Sequence, residues 1–419
     1  MHSEETTLQS SQDLAQDTVR VDAARCPVGP LGTPFDAQFF ADPYATYRRL
    51  HTEGPVHHIR TPDGVEAWLV TRFSDVRKGL GDHRLVRHVR HAKDTYHRFP
   101  LPVEFTKSLV REDPPEHTRL RRFMNMAFAP RRVRALRPRI VEVAERLVDE
   151  LGEHGETELM ASYAAALPIE IIADMLDIAQ EDRAGFRRWA DVILGIDPEE
   201  MREGGIGMLK VLTDLIERKR AQPGDDIWTE WLEGKDDQGG SLDQHELIGM
   251  GFMVLLGGYD PTAGVIGCAI HTLLQDPDLA ERLRKEPELM EDAVEEFLRM
   301  FGSNHTAARR FAAEDVEIGG VTIPAGDTVL LSLGAADRDA LQFDEPDTFD
   351  LARNNNRHVA FGFGPHYCPG TELARIQIAV ALEVVLRRLP DLRLTVPAED
   401  VRLRPAYFIR SPVALPVSY

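Results

Sequence analysis

The stretch from about Leu242 to Gln275 is compatible with one helix for over thirty residues, a rod of ~50 Å at 1.5 Å per residue. A rod of that length crosses a whole domain, so the remaining chain has to wrap around it. Its longest apolar run, Ile248 to Gly258, is shorter than the ~20 residues a membrane span requires. The expectation is therefore a core helix. Gly257, Gly258 and Pro261 stand in its middle and are expected to weaken it there, since glycine adds backbone freedom and proline removes a donor.

The surrounding chain reads mainly as helix. Arg134–Gly152 carries Ile140, Val143, Ala144, Leu147 and Leu151 at helical spacing, and Leu167–Asp177 and Met208–Lys219 repeat the pattern. Strand signals fall at Val65–Thr71, at Val316–Ile323 with Thr328–Leu333, which read together as a hairpin around Pro324-Ala-Gly-Asp, and in the tail at Leu392–Val396, Val401–Leu403 and Val413–Val417. The fold class is mainly α with a small β region (α+β). With 43 % apolar residues in 419 the chain can bury a large core. No linker divides it, so residues 21–419 read as one domain, and residues 1–20, polar and without periodicity, as a disordered arm. There is no apolar signal segment, so the expectation is a soluble cytoplasmic protein. A net charge of −20 argues against a nucleic-acid partner. Three cysteines, at 26, 268 and 368, exclude a disulfide framework and a four-cysteine zinc site.

Cys26 and Cys268 have bland surroundings. Cys368 does not: it lies in Phe361-Gly-Phe-Gly-Pro-His-Tyr-Cys-Pro-Gly370, just before a helix expected over Thr371–Leu389. A helix N-terminus stabilises thiolate, and glycines let backbone N–H groups approach the sulfur and a flat ligand. A thiolate held in this way suits axial ligation of haem iron; the alternative is a buried structural cysteine beside a turn.

The pattern Phe361-Gly-x-Gly-x-His-x-Cys-x-Gly370 resembles the haem-binding signature of the cytochrome P450 family, and further segments match in order over roughly residues 25–419. The resemblance implies the cytochrome P450 fold with the long central helix over the haem, haem b as cofactor with Cys368 as the iron ligand, and Phe361, Gly362 and Gly370 against the haem. Glu296-Phe-Leu-Arg299 matches the family's Glu-x-x-Arg motif and implies a buried structural pair. His117 and Arg121, four apart on one helix face, and Arg310 and His358 match propionate partners, where cations and N–H donors meet two carboxylates.

Leu255-Leu-Gly-Gly-Tyr-Asp-Pro-Thr-Ala263 resembles the oxygen-binding groove. Gly257 and Gly258 are expected to leave space over the iron, and Asp260 fits the acid. Pro261 occupies the position of the usual alcohol, with Thr262 one place on and about 100° further round the helix. Pro261 has no donor and frees the carbonyl of Gly257, so Pro261→Thr is expected to change coupling efficiency and not haem binding. Pro369 fits the first helical position and cannot donate to the sulfur.

The implied substrate pocket draws on the loop His83–Phe105 with Val86, the region of Gly185–Gly207, Met253, Asn304, Ala307 and Phe408. In that loop His83, His88, His91 and His97 alternate with Arg84, Arg87, Arg90 and Arg98; it reads either as solvated or as a cationic pocket rim. Arg111–Arg139 holds nine arginines against three acids, a local charge of +6, either a solvated face or a dock for an acidic ferredoxin. Ferredoxin and an NAD(P)H ferredoxin reductase are the implied electron donors. The implied activity is tailoring of a specialised metabolite: oxidative aromatic coupling (C–C or C–O) of an aromatic or small-peptide substrate, or regioselective hydroxylation of a small hydrophobic metabolite. A non-catalytic haem-binding protein is the third reading.

Overall fold

The computed structural model describes residues 31–93, 101–193, 197–354 and 356–419. The N-terminal arm, Cys26, His97 and Arg98 lie outside the described residues. The long helix runs unbroken over Gln244–Gln275 with Pro261 inside it. It starts at a reciprocal cap: Asp243 Oδ1 accepts from the Glu246 N–H at 2.8 Å, and Glu246 Oε2 accepts from the Asp243 N–H at 2.9 Å. Leu247, Met250, Leu255, Ile266 and Ala269 are fully buried along it. The expected midway weakening does not interrupt the helix. The helices Ala166–Met175 and Thr371–Arg388 pack against it, and burial on both sides offsets the bond that proline removes. By length and hydropathy this helix could cross a membrane, but most of its apolar window is buried inside the fold.

Five strands form the main sheet, in the order β1 (Val56–Arg60), β2 (Glu66–Val70), β8 (Thr328–Leu331), β5 (Arg310–Ala312), β3 (Leu85–Val86). Chain from both ends therefore meets in one layer. β1 is an edge strand, and its His58 stacks on Trp68 of β2 at 4.6 Å. A second sheet of β4 (Glu156–Glu158), β10 (Pro416–Ser418) and β9 (Arg393–Leu394) holds the tail. The expected hairpin is corrected. Its turn is Gly319-Gly320, joining β6 (Val316–Ile318) to β7 (Val321–Ile323), while β8 leaves to pair with β2 and β5. Both turn glycines have positive φ, 57° and 80°, the geometry that two-residue hairpins favour. The Arg134–Gly152 segment is likewise split, into Pro130–Ala135 and Arg137–Leu151, with Pro138 in the first turn of the second.

Candidate active site

The cysteine loop is folded by its glycines. Gly362 and Gly364 sit at φ 73° and 75°, a region that costs a side chain ~1 kcal/mol or more. Gly364 is doubly constrained, since a Cβ there would lie 2.9 Å from the Leu80 carbonyl oxygen. The loop closes on itself: the Cys368 N–H donates to the Phe361 carbonyl at 3.0 Å and the Tyr367 N–H to that of Gly364 at 3.0 Å. Gly370 is the N-cap of the Thr371–Arg388 helix, so Pro369 precedes the cap and does not occupy the first helical position. The Gly370 N–H donates to the Cys368 sulfur.

Burial nevertheless pushes the Cys368 thiol up, outweighing the Gly370 N–H and the charges of Arg121 and Arg375. The Gly370 N–H at the helix terminus acts in the expected direction, lowering the thiol, but desolvation outweighs it. Cys268, buried in the core, is pushed up to about 11 by burial and keeps its bland reading.

Cations gather beside the loop. His117 and Arg121 lie one turn apart on the Glu116–Ala127 helix. His117 is 3 % exposed, its ring is 4.2 Å from that of His366, and its Nε2 has no partner. Arg121 donates from Nη1 to the Tyr367 carbonyl at 2.5 Å. Arg310 is 3 % exposed, donates to the carbonyls of Leu85 (2.9 Å) and Leu80 (3.1 Å), and leaves Nε unpartnered. Arg87 is buried beside it, bonded to the Ala308 carbonyl at 2.5 Å, with Nε again unpartnered.

Burial lowers all of these groups, and neighbouring cations add to it at His117 and Arg87: His117 falls to about 4 and Arg310 to about 10. Buried donors without acceptors, in a cluster with an excess of positive charge, fit a ligand carrying two carboxylates. A haem, with a thiol on one side and its propionates in this cluster, meets that donor set.

His358 does not join the cluster, which corrects its assignment. Its Nε2 lies 3.2 Å from Glu295 Oε2, and Glu295 also accepts from Arg375 at 2.5 Å. His366, inside the cysteine motif, and Arg87, read above as part of a loop rim, stand in its place. Phe361 packs under the Arg375 guanidinium at 4.8 Å.

Glu296 and Arg299 have fully buried side chains and pair through two 2.8 Å bonds. Glu296 also accepts from Arg353, the Asp350 N–H and Asn356, and Arg299 donates to the carbonyls of Asp337, Pro346 and Thr348. This network ties the Met290–Phe301 helix to the segment that leads into the cysteine loop.

On the long helix the two glycines part company. A Cβ at Gly257 would meet nothing within 4 Å, and the residue is exposed although its helix is a core element. That turn fronts open space. A Cβ at Gly258 would lie 2.3 Å from Ile172 Cδ1. Gly258 therefore serves close packing against the Ala166–Met175 helix, which corrects its assignment to the groove. Pro261 is one turn on from Gly257 and shares its face, with Met253 one turn before. Thr262 is buried and turned toward the Gly258 side. Asp260, 4 % exposed, accepts from Arg404 at 2.9 Å.

The pocket residues fall in two groups. Val86 pairs with Phe311, and its neighbour Arg87 donates to the carbonyl of Ala308, the residue after Ala307. Asn304 bridges to Ile409, and the His305 N–H donates to the Phe408 carbonyl at 3.0 Å.

The basic island is largely neutralised from elsewhere in the chain. Arg119 pairs with Glu246, Arg122 with Asp237, Arg132 with Glu230, Arg134 with Glu372, Arg137 with Glu383 and Arg139 with Asp174. Arg111 and Arg131 have no acidic partner among the described residues.

Comparison with known proteins agrees with this geometry. The family model "Cytochrome P450" matches residues 208–402. Cytochrome P450 107B1 of Saccharopolyspora erythraea is 38 % identical over 392 residues, covering 91 % of this chain and 96 % of the relative. The chain belongs to the cytochrome P450 family. The mycinamicin IV hydroxylase/epoxidase of Micromonospora griseorubida is 39 % identical over 393 residues, covering 93 % of this P450 and 98 % of that enzyme. The solved structure of PksS, the bacillaene polyketide synthase P450 of Bacillus subtilis, superposes with a TM-score of 0.87 at 31 % identity, covering 93 % of this P450 and 99 % of PksS. This P450 is a haem-dependent monooxygenase of the bacterial specialised-metabolism type.

Proposed function

We propose that this P450 hydroxylates or epoxidises a specialised metabolite, with Cys368 as the iron ligand and electrons passed from NAD(P)H through a reductase and a separate ferredoxin. The observation that carries the site assignment is the pairing of a half-buried, Gly370-bonded thiol with a cluster in which Arg87 Nε, Arg310 Nε and His117 Nε2 are buried without a partner. The activities that relatives are named for, hydroxylase/epoxidase among them, support the reaction type.

When bound, the haem supplies dioxygen activation and the one-electron steps that no side chain here provides. The chain supplies the rest. Gly362 and Gly364 hold the loop in its turn, and Gly370 directs an N–H at the sulfur. His117, Arg121, Arg310, Arg87 and His366 would hold the two propionates. Gly257 leaves room beside the long helix, and Asp260 holds and passes protons. Hydroxylation consumes one O2, two electrons and two protons for each oxygen atom inserted, the second oxygen leaving as water. Val86, Met253, Asn304, Ala307 and Phe408 would face the substrate. For the ferredoxin, the supporting surface is no longer the whole arginine island. It is the exposed Phe363 and Tyr367 of the cysteine loop, with the Arg77 guanidinium 4.2 Å over Phe363, and exposed Arg131.

A second reading, oxidative coupling of aromatic rings, is favoured by one feature, Pro261, which takes the alcohol out of the groove. Coupling removes two hydrogens from the substrate and releases both oxygens as water. The test is a difference-spectrum titration with macrolides, aromatic metabolites and cyclic peptides, followed by turnover with NADH and a surrogate ferredoxin pair. A product heavier by one oxygen supports hydroxylation or epoxidation, and one lighter by two hydrogens supports coupling. Absence of any NADH-dependent product across the panel counts against both.

A further inference from the structure

The last hairpin of the chain is held by backbone bonds in its arms but not at its tip. In the arms, the Arg404 N–H donates to the Ser411 carbonyl at 2.8 Å and the Val413 N–H to that of Arg402 at 2.9 Å. The second arm is also fastened to the segment before β5: the Arg410 N–H donates to the Ser303 carbonyl at 2.7 Å, and the Phe408 carbonyl accepts from the His305 N–H at 3.0 Å. Among the described residues, 405–407 make no backbone bond to another segment. A side chain ties them down instead. The Tyr407 hydroxyl donates to Asp63 Oδ1 at 3.3 Å and accepts from Arg309 Nη2, which also donates to Asp63 Oδ2 at 2.5 Å. The three polar groups close a triangle.

Two corners of the triangle stand on the main sheet. Asp63 lies in the turn that joins β1 to β2, where the Thr61 N–H donates to the Val65 carbonyl and the Gly64 N–H to that of Thr61, both at 2.9 Å. Arg309 immediately precedes β5. An ion pair between such residues is worth little where it is wet. Here the Asp63 side chain is 47 % exposed and that of Arg309 only 19 %, and the third corner is a buried phenol. Burial pushes the Tyr407 hydroxyl up, against the pull of Arg309, so it stays protonated and remains a donor to Asp63 at neutral pH. The Tyr407 ring packs on Phe35 at 4.9 Å and edge-on to Phe408 at 5.4 Å, the two hairpin rings standing at 85°. Phe408 itself is exposed. Its position is therefore set on one side by the His305 bond to its carbonyl and on the other by the clip on its neighbour.

We infer that Asp63, Arg309 and Tyr407 form a specificity clip: they pin the hairpin tip to the main sheet and so fix how far the Phe408 ring narrows the substrate pocket, admitting small ligands freely and bulky ring-bearing ones only in part. Tyr407 and Arg309 are positioning residues, acting through Phe408. The inference rests on the reading that Phe408 faces the substrate. The clip spans three segments far apart in the chain, none of which the expected pocket contained except through Phe408.

The test uses the haem-loaded, full-length protein and two azoles whose nitrogen binds the iron, imidazole as the small probe and clotrimazole as the bulky one. Dissociation constants come from difference-spectrum titrations, and amide exchange over residues 404–409 is read by mass spectrometry. Tyr407→Phe keeps the ring contacts with Phe35 and Phe408 and removes only the hydroxyl. It should tighten clotrimazole about three- to tenfold, the range a lost hydrogen bond spans, leave imidazole unchanged, and speed exchange over 404–409. Arg309→Gln should do the same, and Arg309→Lys should recover most of the wild-type ratio of the two constants. Phe408→Ala should shift that ratio in the same direction.

If Phe408→Ala shifts the ratio and Tyr407→Phe does not, the inference is overturned and the reading of Phe408 stands. If Phe408→Ala also leaves the ratio unchanged, that reading fails with it. Equal changes for both azoles, a weaker clotrimazole, or an Arg309→Gln shift that Arg309→Lys does not reverse marks a merely structural contact and overturns the inference, as does unchanged amide exchange in Tyr407→Phe. Should Tyr407→Phe fail to hold haem, Asp63→Asn on the exposed side of the triangle decides by the same ratio.

Discussion

Alanine at Gly257 and alanine at Gly258 make the same chemical change at adjacent positions of one helix, yet they should behave in opposite ways. The helix-propensity gain of Gly→Ala, about 1 kcal/mol, is common to both and cancels in the comparison. What remains is packing. The added methyl at 257 meets nothing within 4 Å, whereas at 258 it lies 2.3 Å from Ile172 Cδ1 and 2.9 Å from Cγ1. Ordinary carbon contacts stand at about 3.5 Å or more, so Ile172 or its helix must retreat by about 1.2 Å. Ile172 is fully buried, and β-branched side chains have few alternative rotamers. Overpacking of this kind costs about 1–3 kcal/mol. Gly258→Ala should therefore be less stable than Gly257→Ala by that amount. For 419 residues the unfolding entropy is about 0.9 kcal/mol/K, so thermal midpoints should differ by about 1–3 °C. The assay is paired thermal unfolding of the haem-loaded variants. Equal midpoints, or a lower midpoint for Gly257→Ala, would refute the assignment of 258 to packing and 257 to open space.

Glu296→Ala removes the acceptor of two buried guanidiniums, Arg299 and Arg353, and should cost about 3–5 kcal/mol. The thermal midpoint should fall by at least about 3 °C, and a loss under 1 °C would mean that the network is dispensable. In a haem titration of the apoprotein, Arg310→Ala and His366→Ala should weaken retention severalfold while His358→Ala leaves it near the wild type; the reverse order would restore His358 to the propionate site. Glu295 is drawn down to about 2 from an ordinary 4.5, because bonds and charge from Arg375 and His358 outweigh its burial. A depressed folded-state value means that ionisation stabilises the fold above about pH 4.5 and that this contribution is lost as pH falls toward 2. The stability gap between wild type and Glu295→Gln should accordingly shrink between pH 5 and pH 3; a gap that stays constant contradicts the pairing.

Local chemistry was legible where it is written locally. The glycines around Cys368 act within a few residues of themselves, so spacing found them; the capping box at Asp243 and Glu246 is equally local, and only the structure brought it out. The Glu296–Arg299 pair is three residues apart, and only its burial required the fold. Misreadings came where a distant neighbour decides. Gly257 and Gly258 are adjacent in sequence but 100° apart on the helix, and Ile172 assigns their roles. The arginine island was neutralised by acids from other elements, such as Glu230 and Glu372. His366 lay inside the quoted motif; the turn at Gly364 brings it against His117, while Glu295 holds His358 away. Arg404 had no local signal, because its partner is 144 residues distant.

The central claim is that Cys368 ligates the iron, and the reduced carbon monoxide difference spectrum tests it most directly. The wild type should give the long-wavelength Soret band of a thiolate-ligated ferrous haem. Cys368→His should keep haem but move the band to the position of imidazole-ligated haem proteins, and Cys368→Ser should lose the long-wavelength band. Persistence of that band in either variant would contradict the account and transfer the ligand role to Cys26 or Cys268.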